Sequence, residues 1–449
     1  MNNNSDAKYH FSLSLLLLLI IISNIKAAEA DSLSVRDDQS VRVDSIKISG
    51  NETTQDFIIR RELTFNEGDT VTGKILRYNR ERIYSLRLFN RVDLLLNKTD
   101  RMNILEIKVA ESWYLYPIPF FKMQNGDIKR STYGINLTYK NFRGKNETLR
   151  FIAAFGYETA YAITYDNPAL IFSHDIGLNF TSLYAKINNQ SASAEKIAGN
   201  DFQYKASSQF LSLSKRFDQF NFAFLNLGFS YLETDYAVKN ITASGKNIDR
   251  VLSAGLSYSY DSRDLKQYSG NGSYFSSSFT HKGFGMEGIN YNLIDLDIRN
   301  YRYIYDDLIG KFRISMRNCS GGTIPFYDYS YLGYHQRVRG HMNEIREGKN
   351  YLFSSVELSY PLVKEWNVSI KLPLLPENLT SARIGIYMEG FADTGDAFDS
   401  FGSLKVNNFY SGYGAGILML FLPFNAVRFE YAVNEFGKGE FIIDTGFSF

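Results

Sequence analysis

The chain has 449 residues, 49 Lys and Arg against 48 Asp and Glu, and a single cysteine. A near-neutral balance leaves no basic footprint for nucleic acid. The lone Cys319 excludes an intramolecular disulfide, and it lies too far from the N-terminus to carry a lipid at a cleavage site. Aromatic residues abound (35 Phe, 32 Tyr) while there are 8 Pro, which favours long antiparallel strands with aromatic girdles over a soluble β-sandwich.

Near the N-terminus Lys8 precedes an apolar run over 11–22, and small residues follow at Ala27, Ala28 and Ala30. Charged flank, short apolar core and the Ala28-Glu29-Ala30 pattern predict a secretory signal peptide over residues 1–30. A transmembrane helix is the weaker reading, because about twenty apolar residues are needed to span a bilayer. No later stretch is apolar enough for a helix span. An exported chain of this kind can still enter a membrane as a closed barrel.

Residues 31–40 read as a polar leader. Residues 41–48 alternate apolar and polar and predict a strand. Thr53 or Thr54 is expected to cap a helix through Phe57, Ile58 and Leu63. Thr72 is expected to start a second helix, with Ile75, Tyr78, Ile83, Leu86 and Phe89 at helical spacing. Two further strands are predicted over 92–96 and 104–109. The order β-α-α-β-β within about seventy residues can bury one small core, and there is room for one such unit. Through Ser49-Gly50-Asn51, Glu67-Gly68-Asp69 and Val109-Ala110-Glu111, residues 41–112 resemble a POTRA domain. The resemblance implies a periplasmic module that binds unfolded clients or partners by strand addition. A small α+β spacer is the bland reading.

From Trp113 onward the period is 2. Leu252, Ala254, Leu256, Tyr258 and Tyr260 share one face, and Ser253, Gly255, Ser257 and Ser259 the other. Phe312, Ile314 and Met316 alternate with Lys311, Arg313, Ser315 and Arg317. A charged row opposite an apolar row suits a water-filled barrel. Strands are predicted near 113–122, 131–140, 147–157, 160–166, 174–186, 201–215, 219–234, 250–261, 271–281, 289–305, 309–319, 350–361, 382–391, 408–422, 426–436 and 440–449. Their number, about sixteen, is even, as bacterial barrels require. The stretch 366–380 is longer than a turn needs and has no account at this level.

Between the strands at 309–319 and 350–361 lies the longest aperiodic segment, roughly 320–349, holding His335-Gln336-Arg337-Val338-Arg339-Gly340-His341. Strand connections are usually short, so this loop needs a reason to exist. A guanidinium with five donors and a permanent charge calls for carboxylates. Period 2 supplies two. Ser355, Glu357 and Ser359 point into the lumen when Val356, Leu358 and Tyr360 face lipid. Arg383, Tyr387 and Glu389 point inward when Ile384, Ile386 and Met388 face lipid, and continuing the alternation turns Asp393 inward. A charge facing lipid at the midplane costs roughly 2–4 kcal/mol for Arg or Lys, so a loop folded into the lumen lets Arg339 reach Glu357 and Asp393.

The run from Leu332-Gly333 through Val338-Arg339-Gly340-His341, then Ser355-Val356-Glu357-Leu358-Ser359-Tyr360-Pro361-Leu362, then Gly390-Phe391-Ala392-Asp393-Thr394-Gly395, resembles the BamA/TamA-type superfamily of outer-membrane assembly and translocation barrels. Tyr260-Asp261-Ser262-Arg263-Asp264 and the terminal Phe447-Ser448-Phe449 match it as well. By that resemblance Val338, Arg339 and Gly340 form the lumenal loop motif, Glu357 and Asp393 are its acidic partners, and Phe447 and Phe449 are the C-terminal barrel signal. His341 departs from the family, which places an aromatic Tyr or Phe there.

Other signals weigh less. Gly283-Phe284-Gly285-Met286-Glu287-Gly288 satisfies G-x-G-x-x-G but lacks the βαβ context of a dinucleotide site, and reads as a turn. No G-x-S-x-G elbow occurs. His335 and His341 share a loop without nearby Cys, a poor zinc pattern. Asp393, Asp396 and Asp399 could hold a cation in a loop, but by default they read as an acidic solvated turn. The expectation is a mainly β protein: a signal peptide over 1–30, one α+β POTRA domain over 41–112, and a sixteen-stranded antiparallel transmembrane β-barrel over 113–449. Its work would be insertion or translocation of polypeptides at the outer membrane through a lateral gate, with no catalysis, cofactor, metal or nucleic acid. Its partners would be the lipid bilayer, unfolded clients and subunits of an assembly machinery. A dedicated secretion pore and a passive porin or surface antigen are the alternatives.

Overall fold

The computed structural model describes residues 25–28, 36–99, 102–124, 127–333, 336–371 and 375–446. A four-residue strand, β1 (Ile25–Ala28), precedes a small α+β unit. That unit runs β2 (Ser40–Arg42), β3 (Ser45–Ser49), α1 (Asp56–Arg60), β4 (Thr70–Thr72), α2 (Gly73–Tyr84), β5 (Phe89–Lys98) and β6 (Asn103–Glu111). Its main sheet has the order β3-β6-β5, with β3 parallel and β5 antiparallel to β6. The strand expected over 41–48 is two strands. Val43 N–H donates to Asp69 O and Asp44 N–H to Asn103 O, both at 2.9 Å, so the chain changes partners between them. Thr72 does cap α2, accepting the Ile75 N–H at 3.3 Å. The helix ends at Tyr84 rather than running on to Leu86 and Phe89, because Arg87 takes φ 60° and Phe89 opens β5. Neither Thr53 nor Thr54 caps α1, which starts from Gln55. The Thr54 hydroxyl is already committed, donating to Glu111 at 2.5 Å and accepting from Asn141 at 2.8 Å.

The barrel follows: β7 (Leu115–Gln124), β8 (Asp127–Phe142), β9 (Glu147–Gly156), β10 (Thr159–Ile171), β11 (Ile176–Asn188), β12 (Gln203–Arg216), β13 (Asn221–Glu233) and β14 (Ile248–Asp261). It continues with β15 (Gly272–Lys282), β16 (Tyr291–Tyr305) and β17 (Leu308–Gly321). A small hairpin, β18 (Ser330–Leu332) with β19 (Arg346–Gly348), sits inside the long connection. The wall resumes with β20 (Asn350–Ile370), β21 (Ser381–Phe398), β22 (Tyr410–Leu422), β23 (Asn425–Asn434) and β24 (Gly439–Thr445). Leaving out β1 and the hairpin, sixteen antiparallel strands form the wall, in the predicted order. The alternation holds: Val356, Leu358 and Tyr360 are exposed outward while Ser355, Glu357 and Ser359 are buried.

Two stretches differ from expectation. β20 continues to Ile370, paired with β21 on one side and, at its end, with β1 from Ile25↔Ile370 to Ala28↔Asn367. The aspartates at 393 and 396 lie within β21, not in a turn. The loop's own cations take their charge, Arg339 holding Asp393 and Arg346 holding Asp396 at 2.6 Å, so the strand can continue. The G-x-G-x-x-G stretch is the connection between β15 and β16, closed by a single 3₁₀ turn. Among the described residues no helix is long and apolar enough to cross a membrane, which says nothing of crossing by strands.

The small unit packs against one rim of the barrel, here the near rim. Leu265, Tyr268, Leu418, Leu420, Leu422 and Ala426 of the barrel are buried in the same apolar cluster as its Ile58, Leu76 and Ile83. β7 and β24 meet in the sheet order. As sheet neighbours they are hydrogen-bonded, and their pairing closes the wall.

Candidate functional site: a clasp inside the barrel

The long connection enters from the far rim. Pairing of β18 with β19, from Ser330↔Gly348 to Leu332↔Arg346, gathers the loop into a tip. Tight turns shape that tip, with His341 N–H donating to Val338 O at 3.0 Å and Glu344 N–H to His341 O at 3.1 Å. Val338 anchors it, buried with Leu332 and Phe353. Gly340 adopts φ +99°, a backbone region that favours glycine. On the wall, Gly412 is equally constrained: a Cβ there would fall 1.8 Å from the Arg339 carbonyl oxygen. Only glycine lets the two backbones approach this closely.

Arg339 is held by three strands at once. Its Nε and Nη2 donate to the two Asp393 oxygens at 2.6 and 2.8 Å. Nη1 donates to Glu430 at 2.8 Å and to Glu357 at 3.4 Å. The Arg339 backbone N–H adds a bond to Asp393 at 3.2 Å, and the guanidinium carbon lies 3.6 Å from the Phe391 ring centroid. A buried ion pair is tolerated only when further hydrogen bonds satisfy both partners, and here Ser355 donates to Asp393 at 2.6 Å. The geometry therefore brings together Val338, Arg339, Gly340, Glu357 and Asp393. Glu430 was missed, although its signal was present: in β23 Phe429 and Tyr431 are exposed while Arg428, Glu430 and Ala432 are buried.

The clasp continues toward the near rim. Lys311 donates to Glu357 at 2.6 Å and to Glu389 at 3.2 Å. From the β14–β15 turn Tyr268 reaches up to donate to Glu389 at 2.5 Å, with its ring centroid 3.7 Å from Lys311 Nζ. Lys311 belonged to the predicted inward row. Tyr268 carried no sequence signal, because turn residues have no period.

At the near rim α2 closes a second set of pairs. Arg383 donates to both oxygens of Glu81 at 2.9 and 2.8 Å, and Arg80 to Glu365 at 3.0 Å. Glu62 accepts from Arg82 at 2.9 Å and from Arg216 at 2.8 Å. Burial alone would raise the Glu62 pKa; Arg216, Lys266, Arg82 and Arg61 together outweigh it and hold the carboxyl below its ordinary value.

His341 stacks on Tyr410, with ring centroids 4.0 Å apart, and its two nitrogens sit 3.0 Å from Glu344 and 2.7 Å from Glu435. A flat ring is thus kept at this departure from the family pattern. His335, Phe447, Phe449 and most of 1–30 lie outside the described residues. No cluster of His, Cys, Asp or Glu suited to a metal occurs among the described residues.

Comparison with known proteins gives the following. The profile of the Omp85 superfamily domain matches residues 141–449, and that of the surface antigen variable number repeat, or POTRA, matches 41–112. The outer membrane protein assembly factor BamA of Nitratidesulfovibrio vulgaris (strain Hildenborough) is 24% identical over 339 residues, 68% of this chain but 38% of that protein. BamA of Neorickettsia risticii (strain Illinois) is 39% identical over 71 residues, 16% of this chain and 10% of its own. The match thus spans well under half of either relative. CdiB from Escherichia coli has a TM-score of 0.51 at 12% identity, covering 94% of this chain and 78% of that one, a likeness of fold alone. BamA from Haemophilus ducreyi lacking POTRA domains 1–3 has a TM-score of 0.49 at 15% identity, over 97% and 92% of the two chains. The superfamily profile covers well over half of the sequence, including the loop and all three of its carboxylates, and so the chain belongs to the Omp85 superfamily.

Proposed function

We propose that this protein inserts or translocates client polypeptides at the outer membrane, by opening the seam between β7 and β24 and pairing client strands with the freed edge. In this reading residues 1–30 are a removed signal peptide, 41–112 a POTRA domain on the periplasmic side, and 113–449 the barrel, with the Arg339 loop entering from outside. Unfolded clients, the lipid bilayer and subunits of an assembly machinery are the partners, and no catalytic step is assigned. The observation that carries it is the superfamily profile over residues 141–449, beside a wall whose first and last strands, β7 and β24, meet at a seam that the seven-residue β24 keeps short. A sheet edge with unpaired N–H and C=O groups is a template for strand addition. The test is a disulfide between cysteines placed in β7 and β24 of the full-length protein. The locked form should keep its folded, heat-modifiable migration in gels and lose client assembly, recovering it on reduction. Undiminished assembly in the oxidised form would overturn lateral opening and favour passage through the lumen.

A further inference from the structure

We propose that Glu440 is the positioning residue through which the Arg339 loop holds the last barrel strand in place. In β24 Phe441 and Ile443 point outward, 86% and 76% exposed, so Glu440, Ile442 and Asp444 face the lumen. The loop meets all three. One oxygen of Glu440 accepts the backbone N–H groups of Gly340, at 2.9 Å, and Met342, at 3.0 Å. Ile442, only 4% exposed, is buried with Phe391 and Ala432, and the loop's Met342 packs on that cluster. Asp444 lies 3.8 Å from Arg337 and accepts from Arg428 at 2.8 Å.

The strand is short. Its seven residues pair with β23 from Val427↔Thr445 to Val433↔Gly439, and on the other side it meets β7 at the closure of the wall. So short a strand at the closing seam frays easily unless something covers it. Here the cover is the backbone on either side of His341, immediately beyond Arg339. Seating the guanidinium among Asp393, Glu430 and Glu357 therefore sets the two N–H groups that Glu440 needs. Loop seating and β24 docking are then linked, and the linkage is reciprocal. The inference rests on the β7–β24 seam being the one that opens.

Hydrogen exchange of the full-length protein in detergent reads the strand, and protease cleavage at the loop tip reads the loop. A hydrogen bond to a charged group is worth about 1.5–3 kcal/mol. Glu440→Ala should therefore speed exchange over 439–445 about tenfold or more, and loop cleavage with it, while β14 to β16 stay unchanged. Arg339→Ala, whose side-chain hydrogen bonds go to β20, β21 and β23, should speed the same β24 amides, and the double variant should add little, since the residues act as one unit. Glu440→Gln keeps an acceptor oxygen and should recover much of the protection, which a general defect would not. Gly412→Ala displaces the loop from the opposite side and stands in for Arg339→Ala if that variant fails to fold. Loop cleavage that rises in Arg339→Ala or Gly412→Ala while β24 exchange stays at the wild-type rate would overturn the proposal. Exchange is read without client, so a seam-locked form that remains active would sink lateral opening and leave this measurement standing.

Discussion

Arg339 is a permanent charge taken out of bulk water, 5% exposed, and it survives there because three carboxylates and a ring share it. Removing one partner of a buried pair typically costs about 3–5 kcal/mol, mostly from the charge left unpaired. Arg339→Ala should leave the barrel assembled and release the loop, so that protease cuts it on intact cells. Glu357→Gln with Asp393→Asn should do the same, and combining them with Arg339→Ala should add little. Equal protection in wild type and Arg339→Ala would show that this arginine does not pin the loop. How much was legible varied by residue. Glu357 and Asp393 could be placed because period 2 fixes which way a strand residue points. Glu430 obeyed the same rule on β23 and was equally readable. The bonds from Gly340 and Met342 to Glu440 were not, since they depend on the path of an aperiodic loop.

At the scale of elements, α2 and the segment just after α1 tie the small domain to the near rim by charge. Glu62 supplies a pH test. Its folded pKa is depressed, so the stability it contributes is complete above the unfolded carboxylate value of about 4.3 and is lost as pH falls through the folded value. Docking of the domain, followed by crosslinking α2 to the rim, should hold at neutral pH and weaken in acid below about pH 4.3. Glu62→Gln should weaken it already at neutral pH and remove that acid dependence; an unchanged acid profile would assign it to other groups. The strands themselves were legible, since sixteen alternating segments reappear in the wall in order. The failures share a cause. Thr54 could not be recognised as a tie to the barrel, nor 393–398 as strand, because the partners that satisfy those polar groups lie far away in sequence.

The whole molecule is a wall with a band of outward apolar side chains, Leu256, Leu358 and Phe441 among them, around a lumen entered by side chains from both ends. From the far rim comes the Arg339 loop. From the near rim come Tyr268 and, beneath it, α2 with its Arg383 and Glu365 pairs. That stacking has an electrical consequence. Sixteen strands are enough to enclose an aqueous conduit, so an unobstructed wall of this size would pass ions freely. With fixed positive and negative groups interlocked across the bore, reconstituted wild-type protein should be nearly silent under voltage. Arg339→Ala combined with Arg383→Glu should convert it to a leaky ohmic conductor. A large steady current through the wild type would mean that the interlocked groups leave an open path, and the protein would have to be regarded as a passive pore.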